Sequence, residues 1–157
     1  MTFTHLDAAG HARMVDVTAK QPTVRSATAR GRVLCAPETV AALRDGAVPK
    51  GDVLAVARIA GIQGAKKCAE LLPLAHVIGV HGAAVDLAIE DGGVAIEATV
   101  RTADRTGVEM EALTAVSVAG LAIVDMIKGI DRSAMMTDLR IVAKEGGRSG
   151  SWTRPGE

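Results

Sequence analysis

The sequence is short of aromatic residues and of cysteine, and each shortage excludes a class of protein. Its 157 residues include one Trp, one Phe and no Tyr, so the chain lacks the aromatic platforms on which proteins stack RNA or single-stranded DNA. Cys35 and Cys68 stand apart with no ligand spacing around them, which indicates neither a disulfide framework nor a zinc site. Two reduced thiols and a start without an apolar leader predict a cytoplasmic protein.

An excess of either charge is also missing, as is a long apolar run. Lys and Arg together number 18, as do Asp and Glu, so no overall field attracts nucleic acid or a membrane surface. The most apolar stretch, 112–124, is well short of the roughly 20 residues that a membrane span needs. We therefore expect a single domain over 1–157, a length that suffices for one aliphatic core.

Residues 106–128 predict one long helix whose apolar middle needs cover on nearly every side. Thr106 and Glu109 have the spacing of a capping box, and Lys128 lies at the end where the helix dipole favours a cation. Asp125 stands inside an apolar run, so we expect a buried carboxylate that Lys128 holds from three residues away. Because one small sheet cannot cover such a helix, we also expect an obligate oligomer.

Hydrophobic periodicity places the other elements around this helix. It predicts strands at 30–35, 84–90, 94–102 and 139–143 and helices at 37–44 and 53–72. The polar ends predict an extended arm over 1–25 and a loose tail over 147–157. The order of elements predicts an α+β fold of the ferredoxin-like type, a βαββαβ antiparallel sheet with its helices on one face.

Residue types alone leave the chemistry open. The sequence contains no nucleophile triad, metal cluster, Walker loop or dinucleotide glycine pattern. Lys50 lies just before a helix start, where an anion can bind, although a plain cap is commoner there. His76 lies in an apolar segment, where a core role is commoner than catalysis. The glycine-rich residues 146–150 either form a backbone nest for phosphate or belong to the tail.

Six short runs, in order along the chain, resemble the molybdenum cofactor biosynthesis protein C family. Each run alone is weak, but six in order are very specific, and they extend from about residue 7 to residue 150. The runs are Met14-Val15-Asp16-Val17, Lys50-Gly51-Asp52-Val53, Ala57-Arg58-Ile59-Ala60-Gly61-Ile62, Leu72-Pro73-Leu74-Ala75-His76, Thr106-Gly107-Val108-Glu109-Met110-Glu111-Ala112-Leu113-Thr114-Ala115 and Asp125-Met126-Ile127-Lys128.

The resemblance implies a lyase that rearranges a 3′,8-cyclised dihydro-GTP to cyclic pyranopterin monophosphate and releases pyrophosphate. It implies a hexamer, a trimer of dimers, with the site at a subunit interface. No cofactor is expected, and participation of Mg²⁺ is left open. Catalytic groups fall on Asp125, Lys128 and Lys50. Substrate contacts fall on Leu74, Ala75, His76, Met110 and Glu111, with further cations near the phosphates at Lys20, Arg25, Arg58, Lys66 and Lys144.

The chain departs from the family pattern at several positions. Ala75 and Val77 flank His76 where the family has Cys and Pro, Val124 replaces a usual Tyr, and Arg148 a common Lys. The alternative function is a non-catalytic ferredoxin-like module that binds a nucleotide or pterin, or an inactive paralogue. Only an enzyme explains why Lys50, Asp125 and Lys128 should converge.

The length of the helix predicts a shared site. Glu111 and Asp125 are 14 residues apart, which is about 21 Å along a helix axis, too far for one small ligand. We expect Asp125 and Lys128 from one chain, with part of the Lys50, His76 and Glu111 group coming from another.

Overall fold

The computed structural model describes residues 5–157, and residues 1–4 lie outside this description. The order of strands and helices along the chain is close to the one that the periodicity predicts. The elements are β1 Thr23–Leu34, α1 Pro37–Arg44, α2 Val53–Lys66, α3 Cys68–Leu71, β2 Gly82–Glu90, β3 Gly93–Asp104, α4 Glu109–Ile127, β4 Met135–Glu145 and β5 Trp152–Thr153.

The strands form one antiparallel sheet in the order β2-β3-β1-β4-β5. β1 lies between β3 and β4, and the hairpin of β2 and β3 extends the sheet on one side. With β5 set aside as a short edge strand, this is the ferredoxin-like βαββαβ arrangement, which confirms the predicted fold class.

Alternation along β1 gives the sheet one apolar and one polar face. Ala27, Ala29 and Val33 are buried beneath the helices. On the opposite face, the guanidinium of Arg30 donates to Glu97 of the neighbouring strand over 2.6 Å. Because a strand points successive side chains to opposite faces, this pattern fixes which side of the sheet the helices cover.

α4 is the core helix of the protein. Its length and composition would suit a membrane span, but half of its most apolar window is buried inside the protein. It packs on β1, β3, β4 and α2, with Ala115, Ala119 and Ile123 fully buried. Small side chains let the two long helices approach closely, so α4 is covered on this side, whereas Leu121 is 59% exposed and the expected cover on nearly every side is incomplete within one chain.

Several predicted boundaries are wrong. The expected capping box of α4 does not form, because the N-cap residue is Val108 and no side chain caps it. The helix predicted over 53–72 breaks at Lys67, whose backbone leaves the helical range (φ −103°, ψ 7°). β1 begins at Thr23, inside the expected arm. The tail is not wholly loose, since β5 pairs with β4 and Glu157 forms ion pairs with two arginines of the sheet.

Asp131 ties the end of α4 to the start of α1. Its buried carboxylate accepts the amide of Ala36 over 2.7 Å and the hydroxyl of Ser133 over 2.6 Å. These hydrogen bonds, that of Ser133 first, hold the pKa of Asp131 down at about 2. The carboxylate therefore fixes the loop that follows the last turn of α4.

Candidate active site

Lys50, Asp125 and Lys128 meet at the C-terminal end of α4, and we call them the lysine–aspartate cluster. The ammonium of Lys128 lies 2.7 Å from Asp125 Oδ1, and that of Lys50 lies 3.2 Å from Oδ2. Lys50 also donates to the Asp125 carbonyl over 2.8 Å. The three residues predicted as catalytic are thus in contact within one chain.

Local structure explains how this cluster forms. Asp125 and Lys128 are three residues apart at the end of α4, so they lie on one face of the helix. Lys50 comes from the loop before α2, where Asp52 caps the helix by accepting the amide of Ala55 over 2.9 Å. Gly51 takes a φ of +99°, which L-residues rarely adopt, and this turns the chain between Lys50 and the cap.

The cluster is exposed to solvent, which corrects the expectation of a buried Asp125. The Asp125 side chain is 59% exposed and its two lysines are about as open. Hydrogen bonds from Lys128 first and then Lys50 lower the pKa of Asp125. Asp125 is therefore ionised at neutral pH and holds two ammonium groups beside one another. Together they form a positively charged surface that can bind an anion.

A cavity of about 440 Å³ lies at the other end of α4. It contains six of the ten predicted substrate contacts, drawn from the arm, from the loop after α3 and from the first turn of α4. Its lining consists of His5, Val15, Val17, Lys20, Leu74, Ala75, His76, Thr106, Gly107, Glu109, Met110 and Glu111.

Glu111 is the buried acid of α4. Its side chain lines the cavity although the residue is only 4% exposed. Burial raises the pKa of Glu111, while a hydrogen bond with the thiol of Cys68 opposes the rise. Cys68 in turn accepts from the hydroxyl of Thr114 over 3.5 Å. A carboxyl whose protonated form is favoured in this way can donate a proton to a ligand in the cavity.

His76 is fixed by the arm. Its Nε2 lies 2.6 Å from the carbonyl oxygen of Val15, so this nitrogen carries the proton and donates it. One ring nitrogen is thereby engaged in holding the arm. The neighbouring Val77 is 90% exposed and does not line the cavity. The outer side of this loop is therefore open to solvent.

Two of the remaining cations lie near the cavity and two do not. Lys144 is 3.7 Å from Glu109 Oε1, on the cavity wall, and also bonds the hydroxyl of Ser149. Arg25 donates to the carbonyl of Arg105 over 3.2 Å. In contrast, Arg58 donates to the Val85 carbonyl over 3.0 Å, and Lys66 lies exposed in the last turn of α2. Neither of these two lines the cavity.

The chain thus carries two separate groups of functional side chains at opposite ends of α4. Lys50 meets Asp125 within one chain, so of the group expected in part from another chain it is His76 and Glu111 that lie apart from Asp125. Glu111 lines the cavity about 21 Å from Asp125 along the helix, by the rise of 1.5 Å per residue, and His76 lines the same cavity. Within residues 5–157, no group of three or more His, Cys, Asp or Glu side chains is placed to hold a metal ion.

Several residues that line the cavity were not among the substrate contacts predicted from the sequence. Val15 and Val17 are half-buried against the cavity, while Asp16 and Thr18 between and after them are exposed. That alternation within a polar arm was the available signal. No pattern in the sequence indicates the contact of Cys68 with Glu111, because the two residues belong to separate helices.

Comparison with known proteins places these residues in a family context. The family model described as MoaC family matches residues 14–147. A protein of Streptomyces coelicolor is 60% identical over 97% of this chain and 89% of its own length. Relatives from Chloroflexus aurantiacus and Nocardioides sp. are 58% and 56% identical over 98% of this chain, and over 95% and 96% of their own lengths. All three carry the name cyclic pyranopterin monophosphate synthase.

Proposed function

The chain belongs to the MoaC family, and we propose that it catalyses a step of molybdenum cofactor biosynthesis. As a lyase, it converts 3′,8-cyclo-7,8-dihydroguanosine 5′-triphosphate to cyclic pyranopterin monophosphate and releases pyrophosphate. The observation that carries this proposal is the convergence of Lys50 and Lys128 on Asp125. A module that only binds a ligand has no evident use for this arrangement.

The reaction makes two demands that the side chains meet. Forming a cyclic monophosphate requires a substrate hydroxyl to attack the α-phosphorus while the bond to pyrophosphate breaks. The departing pyrophosphate gains charge, which the ammonium groups of Lys50 and Lys128 stabilise. Proton transfers during rearrangement of the ring system need donors and acceptors, and Asp125 with its two lysines provides both.

We assign substrate binding to the cavity. Its wall combines apolar groups at Leu74 and Met110 with the carboxyl of Glu111, a pattern suited to a flat heterocycle with polar edges. Lys20 in the cavity and Lys144 at its rim attract the phosphates. Arg25 lies close by, whereas Arg58 and Lys66 would act only on a ligand bound between subunits.

The separation of the two groups supports a shared site in a homo-oligomer. If two α4 helices cross antiparallel about a two-fold axis, the start of each lies near the end of the other, and each dimer forms two complete sites. Val56, Ile59 and Leu121 expose apolar surface on the two long helices, which a second subunit would cover. We propose a hexamer built as a trimer of such dimers.

The proposed enzyme works in the cytoplasm and needs no cofactor of its own. The substrate is a small GTP derivative, and no nucleic acid or membrane takes part. Because a triphosphate commonly carries Mg²⁺, the contribution of this ion is measured by assaying with and without EDTA.

The deciding experiment supplies the purified protein with the cyclised GTP intermediate. We expect pyrophosphate to appear together with a product that oxidises to a fluorescent pterin, in equal amounts. Tight binding of the intermediate without pyrophosphate release would instead support the non-catalytic module or inactive paralogue.

A further inference from the structure

We propose that Arg105 is a positioning residue. It holds the described part of the N-terminal arm that precedes β1, residues 5–22, over the cavity and so sets the position of Lys20. This inference rests on the proposed function, because it concerns the same cavity. Arg105 itself is absent from the cavity lining. Its role is to fix the backbone that brings Lys20 and two valines to the ligand.

The arm depends on a few hydrogen bonds for its position. It contains no helix or strand, and its only bridge, between Leu6 and Ala12, is internal to the arm. Two side chains of the protein body donate to arm carbonyls. Arg105 Nε donates to the carbonyl of Lys20 over 2.9 Å, and His76 to that of Val15 over 2.6 Å. These bonds lie at the two ends of the segment 15–20, which contributes Val15, Val17 and Lys20 to the cavity.

The segment between these two bonds behaves as one short unit. Lys20 closes a turn by donating its amide to the carbonyl of Val17 over 3.0 Å, and Thr18 donates its amide to Asp16 over 2.8 Å. Because the turn is internally bonded, holding the Lys20 carbonyl also holds Val17. Release of the Arg105 bond would leave the turn tied to the protein body only at its far end, through the bond of His76 to Val15.

Arg105 is itself held in place. Its amide donates to Asp104 Oδ1 over 2.7 Å, and its carbonyl accepts from the guanidinium of Arg25. It begins the loop that brings Thr106 and Gly107 to the cavity. Arg105 thus links Lys20, which the proposed function assigns to the phosphates, to the nearby cation Arg25, and sets their spacing before the substrate arrives.

Pre-organisation of this kind affects binding more than the chemical step. The lysine–aspartate cluster is at the far end of α4 and does not depend on the arm. Losing one charged hydrogen bond should weaken substrate binding on the order of tenfold. We therefore expect Arg105→Gln to raise KM about tenfold and to change kcat by less than about twofold. The matched control is Arg101→Gln, because Arg101 is an exposed arginine of β3 outside the cavity.

The test combines amide hydrogen exchange on the substrate-free protein with steady-state kinetics. In Arg105→Gln we expect faster exchange at Thr18 and Lys20, unchanged exchange in α4, and the rise in KM. In Arg101→Gln we expect neither change. A direct phosphate contact by Arg105 would leave arm exchange unchanged without substrate, and that result overturns the proposal, as does a fall in kcat at constant KM. If the wild-type protein fails to turn over the substrate, the proposed function fails while the exchange comparison still decides what Arg105 does.

Discussion

Lys50 is the residue on which the catalytic proposal is most directly tested. Its ammonium is about half exposed and bonds both the side chain and the backbone of Asp125. Exposed ion pairs contribute little to stability, so Lys50→Ala should leave the unfolding temperature nearly unchanged. Loss of a group that stabilises the leaving pyrophosphate should lower kcat at least about 100-fold. Steady-state assays and a thermal melt measure the two quantities.

Lys67 provides the matched control for this substitution. It is as exposed as Lys50 and forms a comparable ion pair, 3.0 Å from Glu70, but lies outside both functional groups. Lys67→Ala should therefore retain full activity. A Lys50→Ala protein that melts early yet turns over normally while folded would contradict the catalytic assignment.

Glu111→Gln should raise the melting temperature near pH 8 and at the same time lower the activity. Because burial raises the pKa of Glu111 in the folded protein, its contribution to stability is complete below the pKa of the unfolded chain and is lost as pH rises through the folded pKa. Gln cannot ionise, so the variant should melt at a higher temperature than wild type near pH 8 but not near pH 4. Its activity should fall about 100-fold or more, because a proton donor is lost.

Melting curves at the two pH values check this expectation. His76, Glu109 and Cys68 also surround the carboxyl and influence its pKa, and all three remain in the variant. Glu70→Gln, which alters an exposed acid, should show no gain that depends on pH. A Glu111→Gln protein less stable than wild type near pH 8 would show that the charged carboxylate is well satisfied in its site.

Sequence alone could place two acids on one stripe of α4 but could not say which is buried. Glu111 and Asp125 are 14 residues apart, close to four helical turns, so periodicity treats them alike. Their exposure depends on what packs over each end. Cys68 of α3 covers Glu111, whereas Asp125 is in contact with the exposed side chains of Lys50 and Lys128.

At the scale of elements, the contact of α2 with α4 depends on glycine. A Cβ atom added at Gly64 would lie 2.8 Å from Val118 Cβ, closer than real Cβ contacts. We expect Gly64→Ala to destabilise the protein by about 1–2 kcal/mol, because overpacking outweighs the gain in helix propensity. This would lower the melting temperature by a few degrees, on the order of 2–4 °C per kcal/mol.

Gln63→Ala is the appropriate control, since Gln63 is the exposed neighbour on the same helix. Its melting temperature should match that of wild type. A Gly64→Ala protein at least as stable as wild type would mean that the two helices can move apart at no cost, and that the close contact is not needed for the fold.

Element types were predictable where a pattern is local. The hairpin of β2 and β3 follows from alternation on either side of the predicted turn Asp91-Gly92-Gly93, and it was confirmed, with Gly93 already the first residue of β3. Element ends were less predictable, because they depend on partners remote in sequence. β1 extends back to Thr23 because β3 is long enough to pair with it, and the tail forms β5 because the edge of β4 offers hydrogen bonds to it.

For the whole molecule, the length of α4 determines how a complete site can form. The lysine–aspartate cluster and the cavity occupy opposite ends of this helix, and each group is assembled from residues of a single chain. A ligand the size of a nucleotide reaches both groups only if two chains bring unlike ends together. Each chain of such a dimer gives its lysine–aspartate cluster to one site and its cavity to the other.

Mixing inactive variants tests this arrangement. Asp125→Ala disables one end and Glu111→Gln the other, so in a mixed dimer one site carries both defects and the other carries none. With equal amounts and free subunit exchange, half of the dimers are mixed, and we expect about a quarter of wild-type activity to return. Asp125→Ala mixed with Lys50→Ala is the control: both changes disable the same end, so no site is repaired. Equal recovery in both mixtures, or none in either with exchange confirmed, would contradict a site shared between the cluster of one chain and the cavity of another.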